Sequence, residues 1–330
     1  MYFKKATSGE NHILWYILGF FTVCFAYLFL GQIPLFLVQW YKVGADQTIG
    51  ADDVEKFYET MDFTLLNIDT NVGLILMILV FIVAMMALML VVKYFHKRPF
   101  KFLITPNKQI NYKKIFWAFG FWFIMGLVFE GIIALIYPET YYLNFKPLSW
   151  LFLLVICIVL LPIQTSFEEL FLRGYLMPGI SLLTKDKLIP LLITSVLFGL
   201  IHGMNPEIEK FGFWTMQLYY VGAGLFLGLI TILDDSLELA LGVHAATNVF
   251  GAAFFSYNGG VLQTDSIIKS TEINPYIMIA TFMSAALIFM IVSNKKYKWN
   301  GFSRLFQPIG IEESPNQTAD ILIDTLDTDS

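Results

Sequence analysis

The chain has 330 residues, of which 57% are hydrophobic, 17% aromatic and only 14% charged, and its mean hydropathy is +0.66. That balance excludes an ordinary soluble domain of this length, which needs far more polar surface, and predicts a polytopic membrane protein in contact with lipid. A net charge of −5 with no broad basic surface gives nucleic acid nothing to bind, and Cys24 and Cys157, both inside apolar runs, suggest neither a disulfide framework nor a CxxC metal site.

A helix needs about 20 apolar residues to cross the hydrocarbon. Eight segments are predicted to do so, at 13–40, 72–92, 115–137, 149–183, 188–204, 213–233, 237–257 and 275–293. The first follows Lys4 and Lys5, but it is too long for a signal-peptide core and lacks a small-residue cleavage site, so it reads as a retained span. The fourth is too long for one simple crossing, and Pro162 is expected to bend it. Lys93, Lys97, Arg98, Lys101, Lys108, Lys113 and Lys114 lie between the second and third spans, whereas Asp46, Asp52, Asp53, Glu55, Glu59, Asp62 and Asp69 fill the loop before the second. By the positive-inside rule both termini are cytoplasmic, with the plasma membrane as the expected location. Lys295, Lys296, Lys298 and Arg304 agree, because an even number of crossings returns the chain to its starting side. The expectation is an all-α bundle of about eight spans over 1–304, followed by an acidic, disordered cytoplasmic tail over 305–330 that holds Glu312, Glu313, Asp320, Asp324, Asp327 and Asp329. No internal repeat stands out.

An ionisable residue deep in a membrane helix costs about 2.5–3.5 kcal/mol on insertion scales, so each needs a partner, water or a purpose. The sequence concentrates them: Glu168, Glu169 and Arg173 on the fourth span, His202 on the fifth, His244 and Asn248 on the seventh. His12 and His96 flank spans beside charged residues and read as interfacial. Glu169 and Arg173, four apart with the acid first, can neutralise each other on one helix face. A self-contained ion pair that holds a helix in place is the structural alternative, but it leaves Glu168 unpaired about 100° away. A carboxyl alone in a low-dielectric site is placed to act as a general base. Spans four and five meet at a polar turn around Lys185, Asp186 and Lys187, and Glu168 and His202 lie equally far from Lys185 in sequence, hence at similar depth in a helical hairpin. His244 and Asn248 share a face in a small-residue stretch that lets another helix approach. Phe198 is expected to shape the pocket wall, Gly224 and Gly228 to form a packing seam, and Glu130 has no nameable partner but a possible place along the same cavity.

These stretches resemble the three signatures of the CPBP family, the CAAX prenyl endopeptidase and bacteriocin-processing (Abi) intramembrane proteases. "EELFLR" at 168–173 fits EExxxR, "FGLIH" at 198–202 fits FxxxH and "HAATN" at 244–248 fits HxxxN, in order and on three spans within about 149–257. The resemblance implies an eight-helix fold with a polar intramembrane cavity in which water hydrolyses a peptide bond. It implies Glu168 as base, His202 holding the water, His244 and Asn248 donating to the oxyanion, and Glu169 with Arg173 fixing the helix and the charge around Glu168. Glu168, His202 and His244 also form a plausible Zn2+ ligand set with an open fourth position, in which case Glu169 becomes the base; a metal-free glutamate mechanism fits the same residues. The substrate class is a membrane-tethered peptide or protein, for which a prenylated C-terminus, a peptide pheromone or a membrane-protein tail would all serve. The rival readings are a catalytically idle scaffold or bacteriocin-immunity protein, and a proton-coupled transporter, which should show inverted repeats.

The charge asymmetry of the loops makes a direct prediction. A cysteine introduced near Lys108 should label with an impermeant thiol reagent only in permeabilised cells, and one near Asp52 should label from outside; the opposite pattern overturns the orientation.

Overall fold

The computed structural model describes residues 2–307 and 309, and the acidic stretch expected to form a tail, from 310 onward, lies outside the described residues. A short helix α1 (Tyr2–Ala6) precedes α2 (Ile13–Phe25), which continues through a π turn at Ala26–Leu30 toward α3 (Ile33–Ala45). The acidic helix α4 (Ala51–Thr60) follows, and then two long helices start at side-chain caps: α5 (Thr70–Tyr94) at Asp69 and α6 (Tyr112–Ile136) at Asn111. After a short strand β1 (Tyr141–Leu143) comes one column of 38 residues made of α7 (Pro147–Val159), α8 (Leu161–Glu169), a π turn at Leu170–Leu176 and α9 (Met177–Thr184). The remaining helices are α10 (Leu188–Ile201), α11 (Pro206–Phe211), α12 (Phe213–Asp234) and α13 (Glu238–Ala253). Strands β2 (Phe255–Tyr257) and β3 (Ile268–Ser270) precede α14 (Pro275–Tyr297), and the three strands form one small sheet in the order β1-β3-β2.

Six stretches are long and apolar enough to cross a bilayer, and they coincide with six of the eight predicted spans. The other two, α10 with 14 residues and α13 with 16, fall short of the roughly 20 that a lipid-facing crossing needs. For α13 the reason lies in its surroundings. Every residue of α13 from Glu238 to Ala246 is buried, against α6, α7, α8 and α12. A helix sheathed by protein on all sides need not match the hydrocarbon thickness. The predicted seventh span overran to 257 because Phe255 and Tyr257 are apolar, but they belong to β2, which pairs parallel with β3. The predicted fifth span likewise ends early, at Ile201, and His202 caps it in a non-helical conformation. Pro162 stands at the start of α8, just after the break at Leu160, where its missing N–H is harmless.

Contacts sort the loops into two ends of the bundle. At one end Tyr2 N donates to Asp235 Oδ1, Lys187 Nζ to the Arg304 carbonyl and Arg304 Nη1 to the Leu233 carbonyl, while Lys114 pairs with Asp234 at 2.9 Å. At the other end Gln263 Nε2 donates to the Thr60 carbonyl and Lys146 pairs with Asp265 at 2.8 Å. The first end therefore collects the N-terminal helix, the lysine-rich loop, the turns after α9 and α12 and the residues after α14, as an even number of crossings requires.

His96, expected at the interface, is fully buried at that first end. Its Nδ1 faces the Glu10 carbonyl at 2.8 Å and so carries the proton, which leaves Nε2 to accept from the Tyr175 hydroxyl at 2.9 Å. Burial, reinforced by nearby Arg98, pushes its pKa down to about 4, so the ring is neutral and structural.

Without a hydrophobic drive between helices in lipid, close approach of backbones has to hold them together. The crossing of α13 with α6 shows this most clearly, because a Cβ at Gly242 would stand 2.3 Å from the Ile115 carbonyl oxygen and 2.8 Å from Ala118 Cβ. Gly242→Val should therefore force the two helices apart and cost about 1–3 kcal/mol. We expect a lower melting temperature in detergent, whereas Gly120→Ala, whose added Cβ meets nothing within 4 Å, should leave it unchanged.

Candidate active site

The break before α8 and the π turn after it aim this column's polar residues inward. The π turn widens the helix at Leu170–Leu176, and Gly174 within it lets the backbone at Leu103 come as close as 3.0 Å to where a Cβ would be. Such turns often occur at functional sites. Arg173, in the middle of the turn, is 0% exposed. Its Nη1 donates to Glu169 Oε1 at 2.9 Å, its Nη2 donates to the Gly224 carbonyl of α12 at 3.0 Å, and its guanidinium lies 4.6 Å over the Phe198 ring of α10. The sequence offered Glu169 as Arg173's partner, but Gly224 only as a seam and Phe198 only as a wall.

Glu169 Oε1 also accepts from His244 Nδ1 on α13 at 2.8 Å. With Nδ1 held this way, His244 turns Nε2 toward Glu168 Oε2, 3.8 Å away. His202 makes the matching approach from α10. Its Nδ1 lies 2.7 Å from the Phe198 carbonyl, which can only accept, so Nδ1 bears the proton and Nε2 faces Glu168 Oε2 at 3.9 Å. His202 sits at φ −90° and ψ 0°, in the sparsely populated bridge region where many active-site residues are found. Glu168 is 6% exposed; Gln164 Nε2 donates to its Oε1 at 3.4 Å, while Oε2 has no hydrogen-bond partner among the described residues.

Glu168, His202, His244 and Asn248 all line one cavity of about 850 Å³, and Glu169 with Arg173 lies behind its wall. The six polar residues singled out from three spans are thus brought to one place, in two layers. Glu130 is elsewhere: it accepts from the Tyr141 hydroxyl at 2.7 Å and is not part of that wall.

Three further polar groups reach the cavity without having been foreseen. Tyr220 stacks on His202 with ring centres 4.5 Å apart, and Asn205 Nδ2 donates to its hydroxyl at 3.0 Å. Glu207, at the start of α11, is 3% exposed and also lines the cavity. The polar run "HGMNPE" after the fifth span was the available signal for Asn205 and Glu207, but a polar run at a helix end is also what any loop looks like. Tyr220 had no signal at all among the aromatic residues of its helix.

Glu168, His202 and His244 present a carboxylate oxygen and two imidazole nitrogens, donor atoms that suit zinc, and the two histidine nitrogens both face Glu168 Oε2. Ligands on a tetrahedral zinc lie about 3.3 Å from one another when bonds are about 2.0–2.1 Å, against 3.8 and 3.9 Å here. Among the described residues no group of three His, Cys, Asp or Glu is arranged to hold a metal ion.

Comparison with known proteins adds the family. A family model described as type II CAAX prenyl endopeptidase Rce1-like matches residues 147–250, the stretch that supplies all six residues above. A protein of Bacillus subtilis (strain 168), described as uncharacterized protein YyaK, is 32% identical over 275 residues, which cover 83% of this chain and 88% of that protein. No solved structure matches. The chain is therefore an integral membrane protein that belongs to the Rce1-like, CAAX-type family of intramembrane proteases.

Proposed function

We propose that the cavity is the active site of an endopeptidase that hydrolyses a peptide bond in a membrane-tethered peptide or protein, with Glu168 as its base. One observation carries this reading: the buried Oε2 of Glu168, without a hydrogen-bond partner among the described residues, lies 3.9 Å from His202 Nε2 and 3.8 Å from His244 Nε2. Both gaps are too long for a hydrogen bond and suit a single bridging water, about 2.8 Å from each atom.

The chemistry follows from which atoms can donate. A water between Glu168 and His202 gives one hydrogen to each, since Glu168 Oε2 and the unprotonated His202 Nε2 both accept, and its lone pair is left facing the cavity. When that oxygen attacks a peptide carbonyl carbon, its proton passes to Glu168 and the carbonyl oxygen becomes an oxyanion. Asn248 supplies an amide donor to it, and His244 in its protonated form donates from Nε2 while Glu169 holds Nδ1. Collapse of the intermediate breaks the C–N bond, and the proton on Glu168 goes to the leaving amine. Water has then been added across the bond, and the base is restored. Glu169 and Arg173 touch none of the reacting atoms; they set the position of His244 and neutralise each other. The rest of the wall is largely apolar, with Phe81, Phe167 and Phe171, and can take an apolar substituent such as a prenyl chain.

Two variants separate the roles of the adjacent glutamates, measured by cleavage of a panel of membrane-tethered peptides and by melting in the same detergent. Glu168→Gln is nearly isosteric and should leave the melting temperature intact while turnover falls by about 10²–10⁴-fold. Full activity in that variant would remove Glu168 from the role of base, and, together with an inactive but equally stable Glu169→Gln, it would assign the role to its neighbour. Arg173→Ala strands a buried carboxylate and should cost about 3–5 kcal/mol of stability, with activity lost through misfolding. Activity should also survive a strong chelator and gain nothing from added zinc; loss that zinc restores would favour the metal mechanism.

A further inference from the structure

Glu207 takes no part in the hydrolysis described above, yet it is built into the same cavity. Its Oε1 accepts from Val261 N at 2.9 Å and from the Tyr257 hydroxyl at 3.0 Å, so the side chain is fixed from two directions. Its Oε2 is buried and has no hydrogen-bond partner among the described residues. Burial pushes this carboxyl above its ordinary range, against the pull of the Val261 and Tyr257 bonds. Among the described residues no ion pair reaches it, and the cavity wall contains Glu168 and Glu207 with two histidines but no lysine or arginine. Aromatic rings make up much of the remainder, including Tyr219, Tyr220 and Tyr257, and ring faces attract cations. The cavity wall reaches α4 through Tyr58, and α4 carries Asp52, Asp53, Glu55 and Glu59 against Lys56 alone. Charge of one sign beside a low-dielectric cavity concentrates ligands of the opposite sign.

We infer that Glu207 forms a cation subsite of the cavity, which selects peptide substrates carrying a lysine or arginine side chain, or a free amine, near the bond to be cut. The inference rests on the reading of the cavity as a substrate site. In the complex the ammonium or guanidinium group donates to Glu207 Oε2, the one oxygen of that carboxylate without a partner, and lies against the tyrosine rings. The same lining works against a substrate that brings an extra carboxylate to this end of the cavity, because nothing there can pair with it.

The test measures binding rather than turnover, so it is independent of the proposed chemistry. The probes are fluorescent S-farnesylcysteine peptides in detergent micelles, acetylated and amidated at their ends and identical except for one residue, which is Lys, norleucine or Glu. A fourth is the norleucine peptide with its α-amine free, which distinguishes a side-chain cation from a terminal one. Fluorescence anisotropy is read on Glu168→Gln and on the double variant Glu168→Gln, Glu207→Gln. On the single variant the Lys peptide should bind about tenfold tighter than the norleucine peptide, the size expected for a hydrogen bond to a charged partner, and the Glu peptide should bind weakest. On the double variant the Lys and norleucine peptides should come within about twofold of each other. Glu207→Gln keeps an acceptor for Val261 and Tyr257, and its melting temperature reports whether the fold survives; Glu207→Asp, which keeps the charge, must keep the order of preference. Equal binding of Lys and norleucine peptides to the single variant overturns the subsite, as does a preference that Glu207→Gln leaves intact. If both peptides bind alike and the unsubstituted protein cleaves both, the subsite fails and the peptidase reading stands. A Lys preference without any cleavage leaves the subsite standing and refutes the peptidase.

Discussion

Arg173 has no access to solvent, so its charge has to be met entirely from within the protein. Three groups from three places meet it: the Glu169 carboxylate one turn earlier, the Gly224 carbonyl on α12 and the ring face of Phe198 on α10. The last two each tie another helix to the α7–α9 column that carries Arg173. Because Glu169 Oε1 also accepts from His244, α13 joins the same knot. In lipid, where apolar surfaces gain little from meeting, a buried polar network of this kind can specify which helices are neighbours. The geometry of the cavity is in this sense the outer face of an ion pair that never touches the cavity.

The two histidines depend on that knot in the same way, through whichever nitrogen is already occupied. His244 has Nδ1 fixed by a carboxylate and His202 has Nδ1 fixed by a carbonyl, and in both cases Nε2 is what remains to face Glu168. A hydrogen-bonded imidazole cannot turn over without breaking that bond, so the protein holds two ring orientations around one oxygen before any substrate arrives. Preorganisation of this sort is what separates a site from a collection of suitable residues.

Much of this could be read from the sequence, and what could not has physical reasons. Glu169 and Arg173 were legible as a pair because both lie on one helix, where four residues fix a distance. The meeting of Glu168, His202 and His244 was legible only as a register argument about a turn, combined with the three motifs. Hydropathy found the six long spans but made α10 and α13 longer than they are: it carries no signal for the point where His202 leaves the helix, and it measures suitability for lipid whereas the first half of α13 is buried in protein. It also carried Phe255 and Tyr257 into a helix, because a strand paired at the end of a bundle is as apolar as the helix it follows. Glu207 and Tyr220 stayed hidden for another reason: their place in the cavity depends on how α11 and α12 pack, and nothing within one sequence window encodes that.

The π turn at Leu170–Leu176 puts an unusual constraint on how this column can change. A π turn holds one residue more than the α-helical turn it replaces, so losing any single residue from the segment would let it relax into regular α-helix. Each residue of that wider turn carries the chain through less than the 100° of an α-helix, so the extra residue is absorbed and the segments on either side keep nearly the same phase with or without it. Glu168 and Glu169 before the turn, and the tight contact of Gly179 with Tyr16 after it, would both survive the loss of one residue; what would change is the backbone inside the segment, where Arg173 reaches Glu169 and Gly224 and where Gly174 lies against Leu103. The loss of a second residue has no such slack, and it would rotate everything after the segment by about 100° relative to everything before it.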